Sequence, residues 1–372
     1  MAGSHAYVAP ARWRVAAADA TGAVHVARHT HYEDAWAVAP ADALRRDGTP
    51  VVVAVADGHG HARHFRSARG AEMAVTIATR QGIVAAGEID RATDPMQVAD
   101  ALRLHIAPSI VDGWHEGVQR DLDETPVSAD ELAAAGLGAS PTAEDLTYAY
   151  GTTLLVAVAV GTWLAFLQLG DGDLFLIAPD GTVHFPVPYD PRLDGLRTTS
   201  LCQPDAIDSI RYGIVRAAPG SVGAIMLATD GFGNAQMRDD WEPRFAAGLA
   251  GLAARRGIEK VAECLPQWVR DCASEEGSGD DVTAVLVLAA DAAWEPRHVS
   301  APAAIEAGPS IAPATHAAVP KQIAPHQEPA HPEPPHANVT HHGTGNGAGP
   351  PDGGATTPAG PKHALPSRGR TK

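Results

Sequence analysis

Cysteine is scarce in this sequence, with only Cys202, Cys264 and Cys272 among 372 residues. An odd number of cysteines without a CxxC pair excludes a disulfide framework. A few free thiols are typical of proteins in a reducing compartment. We therefore expect a cytoplasmic protein.

Long apolar runs are also missing. The longest one, LLVAVAVGTWLAFLQL, has 16 residues and is broken by Gly161, whereas a membrane-spanning helix needs about 18 or more. The first residues, MAGSHAYVAPARWR, contain no apolar stretch of signal-peptide length. The sequence predicts a soluble chain without a membrane partner.

Aromatic residues disappear after Trp294, and residues 299–372 contain 14 of the 30 prolines. Such a segment lacks the apolar surface needed to offset the entropy lost on ordering the chain. We therefore expect a folded domain over residues 8–291 and a disordered tail, rich in Pro, Ala, Gly and His, over residues 292–372. The tail's eight histidines are separated by Pro and Gly, which favours a flexible interaction or solubility segment over a preformed metal site.

Positive charge is in deficit. The chain has 28 Lys and Arg against 44 Asp and Glu, a net charge of −16, and the excess of acids lies before residue 299. A protein of this charge does not attract nucleic acid or anionic lipid over long range. The sequence also lacks the GxxxxGK[ST] and GxSxG patterns, which argues against a P-loop nucleotide hydrolase and a serine hydrolase.

The hydrophobic pattern predicts both strands and helices. Strand-like runs cover 11–20, 34–39 and 51–56, a helix follows as far as Gly82, and a second helix covers about 94–121 with an interruption near Pro108. Later predicted segments are an antiparallel meander from 151, a mobile flap at 187–212, a strand ending near 229, helices at 240–256 and 258–273, and a last strand. This order predicts an α+β fold, an α-β-β-α sandwich of two packed, mainly antiparallel sheets flanked by helices.

Four acids recur at the edges of the apolar runs. They are Asp57 in VADGHG, Asp171 in LQLGDGDL, Asp230 in LATDGFGN and Asp280 in GSGDDVTAV. Each Asp-Gly pair alone is typical of a turn, but several convergent carboxylates repel one another unless a cation lies between them. Oxygen-only ligands favour a hard ion, so the pattern predicts Mg²⁺ or Mn²⁺.

In combination, these segments resemble a known family. YEDAWAV, VVVAVADGHG, YGTTLLVAV, LQLGDGDLFLI, IMLATDGFGN and DDVTAVLV occur in the order found in the metal-dependent protein serine/threonine phosphatases of type 2C, over roughly residues 11–289. The opening GAVHVARHTHYEDA is similar to the bacterial branches.

The resemblance implies a mechanism for hydrolysing phosphoserine and phosphothreonine in proteins. Two firmly bound Mg²⁺ or Mn²⁺ ions would share a bridging hydroxide that attacks phosphorus. The implied metal ligands are Asp57, the carbonyl of Gly58, Asp230 and Asp280, with Glu33 and Asp34 holding metal-bound waters. His59 would be the general acid that protonates the departing oxygen.

Two departures from the family pattern matter. The family usually has an arginine four residues before the glutamate to hold the substrate phosphate, but here that position is His29, preceded by Arg28. A third, looser metal site normally uses the equivalent of Asp171 and an acid at the position of Asn234. Because one negative charge is missing, we expect a weak third site.

Several alternatives stay open at this point. The changes at His29 and Asn234 are compatible with a weak or inactive regulatory module that binds a phosphoprotein on the same fold. The resemblance implies an enzyme that opposes a Ser/Thr kinase, and some relatives instead act on an anti-sigma-type antagonist. We also expect a monomer. Arg63, Arg66 and Arg69 recur every three residues, so they either draw a phosphopeptide towards the metals or form a solvated helix face.

Overall fold

The computed structural model describes residues 12–45, 47–193, 198–218 and 220–296. Ten strands lie within these residues. They are β1 (Trp13–Ala20), β2 (Ala35–Ala39), β3 (Val51–Ala56), β4 (Leu154–Val160), β5 (Trp163–Leu169), β6 (Asp173–Ile177), β7 (Val183–His184), β8 (Arg211–Arg216), β9 (Ala224–Ala228) and β10 (Val282–Ala289). The predicted tail, apart from its first residues, lies outside the described residues.

The strands form two five-stranded sheets in which every neighbouring pair is antiparallel. Sheet I has the order β1-β10-β9-β6-β7, and sheet II has the order β2-β3-β4-β5-β8. One apolar cluster contains side chains from both sheets, so the two sheets pack face to face. The predicted sandwich of two antiparallel sheets flanked by helices is confirmed.

Ten α-helices lie within the described residues. They are α1 (Ala23–Arg28), α2 (Ser67–Arg91), α3 (Pro95–Asp100), α4 (Ala107–Glu124), α5 (Ala129–Ala134), α6 (Ala143–Tyr148), α7 (Ala206–Ser209), α8 (Asp230–Asn234), α9 (Trp241–Arg256) and α10 (Ile258–Ala273). Helices α2 and α4 share an apolar cluster with sheet II, and α9 and α10 share one with sheet I. No helix in the described part of the chain is long and apolar enough to cross a bilayer.

Strand β3 shows how the sequence builds these layers. Its side chains are all buried, with Val51, Val53 and Val55 in the cluster between the sheets and Val52 and Ala54 in the cluster beneath α2. Because successive side chains of a strand point to opposite faces, a strand covered on both sides needs a continuous apolar run. The VVVAVA segment meets this requirement.

The predicted end of the first long helix at Gly82 is wrong, because α2 continues to Arg91. Gly82 packs directly on sheet II, where a Cβ atom would lie 2.6 Å from Cγ1 of Val52. The glycine allows the helix to approach the sheet closely. The predicted interruption near Pro108 corresponds to a π-helical turn over Ala101–Ile106, immediately before α4.

Two loop predictions also differ from the structure. The histidine-rich turn between the first two strands contains α1, and the segment predicted as a flap contains α7 and leads into β8 at Arg211. Trp294, which follows the predicted domain boundary at 291, packs its ring against Gly223. The chain after β10 therefore continues along sheet I.

Candidate active site

The site lies at one end of both sheets. Asp57 directly follows β3, Asp171 lies in the turn before β6, and Asp230 is the first residue of α8, after β9. In sheet I, Ala228 pairs with both Asp173 and Ala284, which brings the end of β9 beside the starts of β6 and β10. Asp280 precedes β10 and therefore joins the same end.

Five aspartates interact electrostatically at this end, and we call them the acid cluster. They are Asp34, Asp57, Asp171, Asp230 and Asp280. Asp57 is central, because its pKa is raised well above the usual range by burial and then by the negative charges of the other four. The structure thus brings together carboxylates that are far apart along the chain.

A side-chain hydrogen bond links Asp57 with Asp230 and lowers the pKa of Asp230 in part. Burial, followed by the charges of Asp171 and Asp280, raises the pKa of Asp230 to about 6. Two neighbouring carboxylates repel each other when both are ionised, and this repulsion adds to burial in raising the pKa of Asp57 and of Asp230.

Asp34 and Glu33 lie immediately before β2. The Asp34 side chain is buried and accepts a hydrogen bond of 2.8 Å from the Thr229 hydroxyl, next to Asp230. Burial raises the pKa of Asp34 well above its usual range. The Ser67 hydroxyl donates to Glu33 at 3.2 Å, and burial raises the pKa of Glu33 to about 7. Asp34 thus belongs to the acid cluster, and Glu33 precedes it in the chain.

The Asp57-Gly58-His59 turn is held by the start of β4. The Asp57 carbonyl accepts hydrogen bonds of 2.9 Å from the Thr153 amide and the Thr152 hydroxyl. The His59 amide donates to the Gly151 carbonyl at 3.2 Å. A Cβ atom at Gly58 would collide with the Glu33 carbonyl, so only glycine fits at this position.

Asp281, which sequence reasoning missed, accepts two backbone hydrogen bonds. Its Oδ1 accepts from the Gly22 amide at 2.8 Å, and its Oδ2 accepts from the Glu33 amide at 2.7 Å. The side chain is 3% exposed, whereas that of Asp280 is 54% exposed. Asp281 therefore joins the loops that carry Glu33 and Asp280. The doubled DD in the sequence is the only signal of it.

His25 lies beside the same two acids. Its Nδ1 lies 3.1 Å from Oδ2 of Asp281, and its Nε2 lies 3.7 Å from Oδ1 of Asp280. The hydrogen bond with Asp281 is the main reason why the pKa of His25 is raised to about 9. Arg28 and His29, predicted to hold the substrate phosphate, are both exposed. His29 ends α1 in a left-handed conformation, with φ of 56°.

With this geometry in place, the chain can be compared with known proteins. The family model described as Protein phosphatase 2C matches residues 21–270, which is more than half of the chain. The chain belongs to the protein phosphatase 2C family. The match ends before Asp280 and Asp281, so it does not cover the loop that leads into β10. No curated protein sequence gives a significant match.

Solved phosphatase structures resemble this member of the protein phosphatase 2C family at low sequence identity. PppA, a key regulatory component of T6SS in Pseudomonas aeruginosa, is 18% identical over 75% of this chain and 99% of its own, with a TM-score of 0.47. Stp1, a serine/threonine phosphatase from Staphylococcus aureus, is 15% identical over 77% and 99%, with a TM-score of 0.46. The catalytic domain of the phosphatase PstP, solved with 2 manganese ions, is 18% identical over 75% and 99%, with a TM-score of 0.42.

Protein phosphatase 2C enzymes depend on Mg²⁺ or Mn²⁺, and the donor set of this chain fits such ions. Its convergent groups are carboxylates, which hard cations prefer, and burial and mutual repulsion raise the pKa of Asp57 and Asp230. A cation would remove the repulsion that now favours their protonated forms. In the described ranges, no three His, Cys, Asp or Glu side chains form a ready-made coordination group.

Asn234 stands where the phosphatase 2C pattern is expected to place the second acid of a third metal site. Asn234 donates a hydrogen bond of 3.0 Å from its amide to Oδ2 of Asp230. Asp171 accepts a hydrogen bond of 2.7 Å from the Thr198 hydroxyl. A neutral donor therefore occupies the position where the family usually provides a negative ligand.

The three arginines at the start of α2 form ion pairs within the protein. Arg63 pairs with Asp145 at 2.6 Å, and Arg69 pairs with Asp121 at 2.8 Å. Arg66 is buried, and its guanidinium donates to Glu131, Asp121, the Thr125 carbonyl and the Tyr150 hydroxyl. These contacts connect the start of α2 to residues 121–145, while Arg69 stays exposed on the helix face.

Proposed function

We propose that this chain is a Mg²⁺- or Mn²⁺-dependent phosphatase that hydrolyses phosphoserine and phosphothreonine in proteins. The observation that carries the proposal is the direct contact between Asp57 and Asp230 inside the acid cluster. Membership of the protein phosphatase 2C family supports a phosphoprotein as the substrate class. We also propose that the substrate is a protein phosphorylated by a Ser/Thr kinase and that the enzyme is a monomer.

In this proposal, each residue of the site has a role that follows from its position. Asp57, the Gly58 carbonyl, Asp230 and Asp280 hold two divalent cations, and Glu33 and Asp34 order the surrounding water. The bound cations supply Lewis acidity, lowering the pKa of water and neutralising the charge of the substrate phosphate. The rigid hydrogen bonds from Thr152 and Thr153 to the Asp57 carbonyl keep the central carboxylate in place.

His59 donates the proton to the serine or threonine oxygen as the P–O bond breaks. Its backbone is fixed by the Gly151 carbonyl, two residues after the central carboxylate Asp57. Its side chain is half-buried, so part of the ring is open to a substrate. An alkoxide is a poor leaving group, and proton donation is worth about 10²–10⁴ in rate for such groups.

The experiment is phosphate release from 4-nitrophenyl phosphate and from phosphothreonine peptides in the presence of Mn²⁺. We expect release by the full chain, its loss in EDTA, and its loss in Asp57→Asn. Glu88→Gln is a matched control, because Glu88 is an exposed acid on α2 that contacts only His105 among the contacts described. The proposal would be overturned if the folded, manganese-bound protein released phosphate from neither substrate.

One observation favours a second candidate, a regulatory module that binds phosphoprotein or metal without turnover. The Asn234 amide occupies an oxygen of Asp230 that a cation would otherwise bind. Calorimetric binding of Mn²⁺ without phosphate release would favour this module. An Asn234→Asp substitution that creates activity in an inactive parent would support the same reading.

The number of cations is a separate part of the proposal. Asp171 lacks an acidic partner at position 234, and the hydroxyl of Thr198 already donates to it. We therefore propose two firmly bound ions and a weak third. Calorimetric titration with Mn²⁺ gives the stoichiometry directly, and Asn234→Asp is expected to raise it from two towards three.

A further inference from the structure

The His59 ring has a second histidine packed against it. The centroids of the His59 and His64 rings are 4.8 Å apart, and the rings meet edge to face at 68°. His64 is 6% exposed and belongs to the short 3₁₀ turn Ala62–His64 that precedes α2. The ring of His64 also stacks on Tyr148, with centroids 4.2 Å apart and planes 29° apart.

One hydrogen bond fixes the orientation of the His64 ring. Its Nδ1 lies 2.6 Å from the main-chain carbonyl of Tyr148. Because a carbonyl oxygen can only accept, Nδ1 must carry the hydrogen. The stack on Tyr148 restricts rotation in the other direction. Because the His64 imidazole is buried and held in this way, it gives the His59 ring a rigid surface to pack against.

Gly151 lies against the rings of both His59 and His64. A Cβ atom at this position would lie 2.8 Å from Cδ2 of His59 and would collide with the ring of His64. The same residue accepts the hydrogen bond from the His59 amide. The backbone and one ring edge of His59 are therefore both in contact with the unit made by Gly151 and His64.

We propose that His64 is a positioning residue for His59, which holds the imidazole in the orientation that delivers a proton to the leaving oxygen. This inference rests on the proposed function, because it assigns a role within that proton transfer. A donor that already occupies the productive orientation does not lose rotational freedom in the transition state. If His64 only filled space, replacing it would affect folding but not proton delivery by His59. A structural role and a positioning role of His64 can therefore be separated by experiment.

The decisive experiment is a double-mutant cycle read with substrates of different leaving groups. We compare kcat for phenyl phosphate, whose leaving group needs a proton, with kcat for 2,4-dinitrophenyl phosphate, whose leaving group does not. His64→Leu is expected to lower the first by about tenfold, within the range that a general acid supplies, and to leave the second and KM within about twofold. In a His59→Ala background, His64→Leu is expected to have no further effect.

Two other variants make the result specific. His64→Phe keeps a flat ring between Tyr148 and His59 and is expected to recover part of the loss. His61→Asn is the matched control, because His61 lies in the same turn with its ring 6.3 Å from that of His64. Multiplicative losses in the His59→Ala background, or equal losses for both leaving groups, would overturn the proposal.

A second measurement separates this inference from the proposed function. If the wild-type chain releases no phosphate, the proposed function fails, and the positioning is then judged by NMR of ring-labelled histidine. We expect a single ordered His59 ring in the wild type and several rotamers in His64→Leu. A His59 ring that stays equally ordered after the substitution would overturn the positioning role.

Discussion

Replacing Asp281 by asparagine tests a buried carboxylate that accepts two backbone hydrogen bonds. Oδ1 and Oδ2 each accept a backbone N–H, from Gly22 and Glu33, at 2.8 and 2.7 Å. Asparagine offers one oxygen and one NH₂ group, so one of these N–H groups must face another donor. The substitution keeps the volume of the side chain and changes only its hydrogen bonding and charge.

The expected loss follows from these contacts. A buried donor left without an acceptor costs about 1–3 kcal/mol, and a hydrogen bond to a charged group contributes about 1.5–3 kcal/mol. Since these effects are not additive, we expect Asp281→Asn to lower the free energy of unfolding by about 2–4 kcal/mol. Asp280→Asn is the matched control. The carboxylate of Asp280 is 54% exposed and is repelled by the other aspartates of the acid cluster.

The assay is urea unfolding of metal-free protein at neutral pH, with the m-value as a check that the transition is comparable. The pKa of His25 gives a second readout, because its rise to about 9 has the bond to Asp281 as its main cause. In Asp281→Asn this pKa is expected to fall towards 6.5, measured by NMR titration. A loss no larger than that of Asp280→Asn, together with an unchanged His25 pKa, would refute the reasoning.

Three further predictions concern packing, ion pairs and pH. Gly70→Ala places a methyl group against the Tyr150 carbonyl and should destabilise the domain by about 1–3 kcal/mol, whereas Gly87→Ala, whose Cβ meets only a flexible arginine tip at 3.5 Å, should be neutral or stabilising in urea unfolding. Arg66→Met breaks a buried ion-pair network and should cost about 3–5 kcal/mol, while Arg69→Met, at a more exposed pair, should cost about 1 kcal/mol or less; similar losses for the two would contradict the assignment. The raised pKa of about 6 in the acid cluster means that the folded state binds more protons than the unfolded chain between about pH 4 and pH 6. Metal-free protein should therefore lose this contribution to stability as the pH rises through that window, and Mn²⁺ should raise the melting temperature more at pH 8 than at pH 5; a metal effect that does not change with pH would contradict this.

The sequence determined the layers of the fold because the relevant signals are local. A continuous apolar run such as VVVAVA fits only a strand that is covered on both faces, and the helices predicted at 240–256 and 258–273 correspond to α9 (Trp241–Arg256) and α10 (Ile258–Ala273). Local signals do not report close packing between elements. Gly82 was interpreted as a helix end, although its role is to let α2 approach Val52.

The candidate site shows the same division. Acids at strand edges were predictable, because a carboxylate beside a glycine at the end of a buried run has a fixed backbone and an open side. Which acids come together depended on the pairing of β9 with β10 and of β6 with β9, and the two backbone N–H groups that Asp281 accepts come from Gly22 and Glu33, outside those strands. Asp57 and Asp230 are 173 positions apart in the sequence, and no local pattern reports their contact.

The sequence by itself determined the family, the two-sheet architecture and most of the strands and long helices, since each of these depends on short segments. Only the tertiary structure decided that Arg66 is buried in an ion-pair network, that Asp281 ties two loops together, and that His64 packs on His59. These contacts join residues from different segments, and their energies depend on burial and on the distance between atoms. Neither quantity exists until the chain has folded.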